Sequence, residues 1–155
     1  MEWHKLGRFC WDDGVITLYT NRFIPANAAG CARGPFIFIR PEYKNDKGLL
    51  AHEKVHVWQW TIVSYIAVCM LAVGGFLLSE HVNFPAWIVA PLGLAAHGLL
   101  YRLLPEYRLD CEVEAYKEQL RHDPQHLDLY AYFIATKYDL KISKGEVITL
   151  LNQRN

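Results

Sequence analysis

KGLLAHEKVHVWQWTIVSYIAVCMLAVGGFLLS, residues 47–79, joins a His-Glu-x-x-His motif directly to a long uncharged run. Asn45-Asp46 just before it offers a helix cap, and nothing breaks a helix from Lys47 until Gly74-Gly75. Residues four apart on a helix share a face, so His52 and His56 can present two imidazoles to one zinc ion. Glu53, beside the first of them, is placed to take a proton from a water held at that ion. The plain alternative is a pair of interfacial histidines and a solvated carboxylate.

Working outward, Thr61–Ser79 holds 19 residues without a formal charge. At 1.5 Å per residue such a helix is roughly 28 Å long, close to the hydrocarbon thickness of a bilayer. A polar break at Glu80–Asn83 follows, and Phe84–Tyr101 then gives 18 more uncharged residues. Pro85 suits a first helical turn, Pro91 is positioned to kink the segment, and Trp87 can anchor at an interface. Gly74, Gly75, Gly93, Ala95 and Ala96 would let two such helices approach closely. A transmembrane hairpin over residues 61–101 is therefore expected. The competing reading is a soluble helical hairpin buried on all sides. A chain of 155 residues has little material to wrap two such helices in water-facing layers. Eight Lys/Arg precede Thr61, eight follow Tyr101 and the connecting break has none. By the positive-inside rule both termini are cytoplasmic.

The whole chain, residues 1–155, fits one domain. Its formal charge is zero, with 16 basic and 16 acidic residues and no basic run, which gives nucleic acid no electrostatic footing. Met1–Lys5 lacks the apolar run of a cleavable secretory signal. Cys10, Cys31, Cys69 and Cys111 are far apart and form no Cys-x-x-Cys pair, so reduced thiols are expected. Val15–Tyr19 after Asp12-Asp13-Gly14, and Phe36–Ile39 between Gly34-Pro35 and Pro41, read as short strands. The second is either a core strand or an edge strand that pairs with an extended peptide. After Pro105, helices are expected over Tyr107–Arg121, Gln125–Tyr138 and Ser143–Asn152.

A catalytic zinc ion takes three protein ligands and keeps one position open, so the motif needs a partner. Asp110-Cys111-Glu112-Val113-Glu114-Ala115-Tyr116 supplies a dense acidic cluster. Two antiparallel apolar helices would return the chain to the face it left, bringing this cluster back beside His56. Gln59 falls on the same helical face as His52 and His56, as a support for the site or as an ordinary interfacial residue. His97 reads as a hydrogen-bonded helix-packing residue rather than a ligand. His122, His126, Tyr107 and Tyr116 are open candidates for stabilising an oxyanion.

The order His-Glu-x-x-His, two hydrophobic runs, then Glu-x-x-Ala resembles the membrane gluzincin peptidases of the heat-shock and CAAX-processing type. The match covers about residues 47–120 and rests on these short motifs. The resemblance implies a zincin-like α+β fold, mainly α with a small N-terminal β element, and a hairpin inserted between the metal-binding helices. It implies His52, His56 and Glu112 as zinc ligands and Glu53 as the base. Glu114 is the second choice for third ligand, because the sequence does not fix the helix phase. Two departures stand out. The family's acidic residue after Glu-x-x-Ala is Tyr116 here, and the family's usual leading pair of spans does not appear in these residues.

The expected function is hydrolysis of peptide bonds in a peptide or protein substrate, at the cytoplasmic face of a lipid membrane, with Zn2+ as cofactor. Two other classes remain. One is a non-catalytic membrane protein that keeps the zincin fold for binding or regulation. The other is a soluble cytoplasmic gluzincin that cleaves a regulator. Metal content separates the first class from the second, and detergent dependence separates it from the third.

Overall fold

The computed structural model describes residues 8–12, 14–77 and 86–153. Four strands come first: β1 (Arg8–Asp12), β2 (Val15–Tyr19), β3 (Gly30–Arg33) and β4 (Phe36–Ile39). Five helices follow: α1 (Lys47–Leu77), α2 (Ala86–Leu103), α3 (Pro105–His122), α4 (Leu127–Lys137) and α5 (Lys144–Asn152). The chain is thus mainly helical with a small sheet.

The sheet order is β1-β2-β4-β3, with β2 and β4 parallel and the other two pairs antiparallel. β4 therefore lies inside the sheet, hydrogen-bonded on both sides. The edge-strand reading of Phe36–Ile39 is overturned, and β3 holds that edge instead. The β3–β4 turn needs a positive φ at Gly34 (+60°), a conformation glycine adopts without steric cost. A side chain there would also meet the ring of Trp60, 3.5 Å away.

Asp46 caps α1 as the sequence suggested, its Oδ1 accepting from the Leu49 N–H at 2.7 Å. The start of α1 packs on the sheet, where Leu49 and Val57 join Ile37 and Ile39 in one small core. Beyond Thr61 the helix loses that support. Met70, Val73 and Phe76 are each more than half exposed, and Ser64 is the one buried residue in that stretch. The helix runs through Gly74-Gly75 to Leu77 rather than stopping there. A helix-interior glycine costs only about 1 kcal/mol relative to alanine, too little to end a segment of this length.

α2 runs back along α1. Trp60 Nε1 and Ser64 Oγ both donate to the Leu94 carbonyl, at 3.1 and 3.5 Å. Gly93 lies so close to Val68 that a Cβ there would fall 2.3 Å from Val68 Cγ2. Gly74, by contrast, has nothing within 4 Å among the described residues. Pro91 sits within α2 without ending it. Among the described residues α1 alone is long and apolar enough to cross a bilayer. α2 passes that test only together with α3, from which it is bent by 99°. The Glu80–Asn83 break, Phe84, Pro85 and the side chain of Trp87 lie outside the described residues.

α3, α4 and α5 enclose a second core that includes Val113, Tyr116, Tyr130, Ile134, Val147 and Leu151. Ser143 and Glu146 form a capping box at the start of α5. Cys31, Cys69 and Cys111 are free thiols. The side chain of Cys10 lies outside the described residues.

Candidate metal centre

The second turn of α1 faces the middle of α3. His52 Nε2 and His56 Nε2 are 3.1 Å apart, and their rings meet edge-on. Glu112 completes a triangle, with Oε2 3.9 Å from His52 Nε2 and Oε1 3.6 Å from His56 Nε2. Four ligands held tetrahedrally at zinc–nitrogen and zinc–oxygen distances stand roughly 3.3 Å from one another. The three observed separations, the last two to different carboxylate oxygens, lie close to that value, and the three residues form a group that could hold a metal ion.

The protonation pattern fits a cation as well. Gln59 Oε1 lies 2.9 Å from His56 Nδ1, while its Nε2 donates to the Cys111 carbonyl at 3.1 Å and to Glu114 Oε2 at 2.8 Å. With the amide nitrogen committed to two acceptors, its oxygen accepts, so His56 Nδ1 carries the proton. Nε2 is then left with a lone pair directed into the triangle. Burial, followed by the neighbouring His56, holds His52 well below the usual histidine range, in the neutral form that ligates metals. Among the described residues, His52 Nδ1 and Glu112 Oε2 are buried without a well-aligned hydrogen bond, although Gln119 lies against His52 and Tyr138 against Glu112. The two Nε2 lone pairs and the Glu112 oxygens form a dry, crowded set of acceptors that a divalent cation would relieve, while His52 Nδ1 lies on the other side of its ring.

Glu53 is also buried, at 4% exposure, against the edge strand. Burial pushes its carboxyl up to about 7, with the His56 ring and the Ala32 N–H working against that rise and the Glu112 carboxylate adding to it. Its Oε1 lies 3.2 Å from the point a Gly30 Cβ would occupy, so glycine at position 30 leaves the room this carboxyl takes. These groups open onto a cleft of about 1290 Å³. The cleft runs between β3 and the helices, with Arg40, Glu42 and Asp46 at a polar part and Trp60, Leu94 and Gly98 at an apolar one.

The structure brings His52, His56, Glu112 and Glu53 together and directs Glu114 to Gln59 instead. Tyr116 sets its ring edge-on to His52, and its hydroxyl lies 3.2 Å from that of Tyr138. It therefore gives His52 Nδ1 no acceptor. His97 Nδ1 is 2.7 Å from the Tyr107 hydroxyl and stands outside the ligand group. Of the oxyanion candidates, Tyr116 and His126 line the cleft, and His122 and Tyr107 do not. Three residues escaped the sequence reading: Gly30, Tyr138, and Tyr101, whose hydroxyl donates to Glu112 Oε1. Tyr101 ends an uncharged run and so reads as a membrane boundary. Only the 99° bend after it turns it toward α3.

Comparison with protein-family models, with curated proteins and with solved structures finds no match to this chain.

Proposed function

We propose that this chain is a zinc-dependent metallopeptidase of the gluzincin kind, working at the cytoplasmic face of a membrane. The observation that carries the reading is the convergence of His52, His56 and Glu112 beside a buried Glu53, all opening onto one cleft. A zinc ion bound by the three ligands would supply Lewis acidity, activating a water and polarising the scissile carbonyl. Glu53 accepts the proton of that water and returns it to the leaving amine. Its raised proton affinity suits both transfers near neutral pH. Gln59 holds His56 in the ligating tautomer. The outer edge of β3, which no described strand covers, lies along the same cleft and, apart from the Ala32 N–H that meets Glu53, would offer backbone groups to an extended substrate.

The membrane part of the reading rests on the apolar face of α1 and α2. That face has no protein cover among the described residues, and only 6% of the most apolar stretch of α1 is buried. Lipid is the solvent that suits such a face, and the Lys/Arg distribution supports a metal centre on the cytoplasmic side.

The test is turnover of a quenched peptide library by detergent-solubilised, zinc-loaded protein beside its Glu53→Gln variant. Cleavage by the first and none by the second supports the reading. Equal activity in both overturns it. The lack of a carboxylate or other well-aligned acceptor at His52 Nδ1 favours one other reading, a zincin-fold binding protein without turnover. That reading is supported if zinc-loaded protein binds peptides and cleaves none.

A further inference from the structure

Four hydrogen bonds cross or close the 99° bend between α2 and α3. His97 on α2 meets the Tyr107 hydroxyl on α3 at 2.7 Å. Arg108 Nη1 on α3 donates back to the carbonyls of Tyr101 and Arg102, at 3.0 and 3.3 Å, and satisfies acceptors that the end of α2 would leave open. The Tyr101 hydroxyl reaches furthest, donating to Oε1 of Glu112 one turn beyond Arg108. Tyr101 also stands edge-on to the His56 ring, with centroids 6.4 Å apart. One side chain of the apolar helix thus touches the carboxylate that closes the metal triangle, and the elbow around it fixes the angle between the two helices.

We infer that Tyr101 is a positioning residue for the metal centre, and that docking of α2 and occupancy of the centre are a single linked equilibrium. The inference rests on the metal reading above. Glu112 is 1% exposed, and the Tyr101 hydroxyl donates to its Oε1 while the Tyr138 hydroxyl lies against the same carboxylate, so Tyr101 is the restraint that α2 contributes to where the carboxylate points. When α2 leaves its seat beside α1, the carboxylate loses that donor and the triangle loses its third corner. By linkage, an ion that draws on all three corners binds the docked arrangement better, and so holds α2 in place. Whatever shifts the apolar helix, a change of bilayer thickness for instance, would then be felt as a change in metal affinity.

The test uses the full chain in nanodiscs, with zinc affinity measured by competition against a chromophoric chelator. Loss of a hydrogen-bonding partner of a ligand typically weakens a metal site ten- to hundredfold, roughly. Tyr101→Phe should show a loss of that size, while Tyr65→Phe, an exposed tyrosine on α1, should match wild type. A second measurement needs no variant. Zinc added to the metal-free wild type should slow amide hydrogen exchange across residues 97–108. Wild-type affinity in Tyr101→Phe, an equal loss in Tyr65→Phe, or exchange across 97–108 that ignores zinc would overturn the inference while leaving the metal centre standing. A wild type that binds no zinc at all would overturn both.

Discussion

The side-chain amide of Gln59 donates to Glu114 Oε2 at 2.8 Å, and this one bond separates the two carboxylates that the sequence left in competition. Glu112 enters the triangle with His52 and His56, and Glu114 is held one layer out. Glu112→Ala should therefore abolish stoichiometric zinc binding. Glu114→Ala should keep the metal with a weaker affinity, since it only frees the amide that steadies His56. Isothermal titration of both variants checks this, and the reverse ranking would move the third ligand to Glu114.

Gln59 itself is the more sensitive probe of tautomer control. Gln59→Leu keeps the approximate volume and removes both the acceptor for His56 Nδ1–H and the donor to Cys111 and Glu114. Zinc affinity should fall by roughly ten- to hundredfold. The Nδ1 and Nε2 nitrogen shifts of His56 should report a mixture of tautomers in the metal-free variant. An unchanged affinity would mean that helix geometry alone orients the ring.

Glu53 makes a prediction about stability as well as turnover. Its folded-state value, about 7, lies above the ordinary value of 4.5. The folded, metal-free chain thus holds an extra proton between those values, and stability falls as pH rises through that window. The cost at pH 8 is on the order of 3 kcal/mol. His52 acts in the opposite sense, with stability lost as pH drops below 6.5, but it is present in wild type and variant alike. Metal-free Glu53→Gln should therefore unfold at higher denaturant than wild type at pH 8, with the gap closing toward pH 5. A gap that is the same at both pH values would show that Glu53 is not the buried carboxyl described here.

How much of this was legible in the sequence follows from where the information lay. The ligand pair and the base were readable because four-residue spacing on one helix is a local property. The acidic cluster around Glu112 was reachable through the expected return of the second apolar run, but the choice of Glu112 within it came from the resemblance, since helix phase and the bend after Leu103 are not local properties. Tyr101 was not reachable. Its role depends on that bend angle, which no local pattern encodes. The strand order hid the edge for a similar reason: β4 follows β3 in the chain but pairs in parallel with β2, which puts it inside the sheet.

The hairpin carries a topological prediction. In a background stripped of Cys10, Cys31, Cys69 and Cys111, single cysteines would be placed at position 81, near Asn45 and near Asn152. An impermeant thiol reagent on intact cells should label position 81 alone. Labelling of the other two with a silent position 81 would invert the orientation. Labelling of one terminal position only would rule out a two-span hairpin, and recovery of the chain in the soluble fraction without detergent would remove the membrane altogether.

The central claim is that His52, His56 and Glu112 form a zinc site, and metal analysis of protein purified without chelators tests it most directly. Wild type should carry about one zinc per chain, Glu53→Gln should carry the same, and His52→Ala and His56→Ala should carry none, because the proposal makes Glu53 a base and the histidines ligands. Wild-type protein that is folded and holds no stoichiometric metal, even after incubation with zinc, would contradict the account.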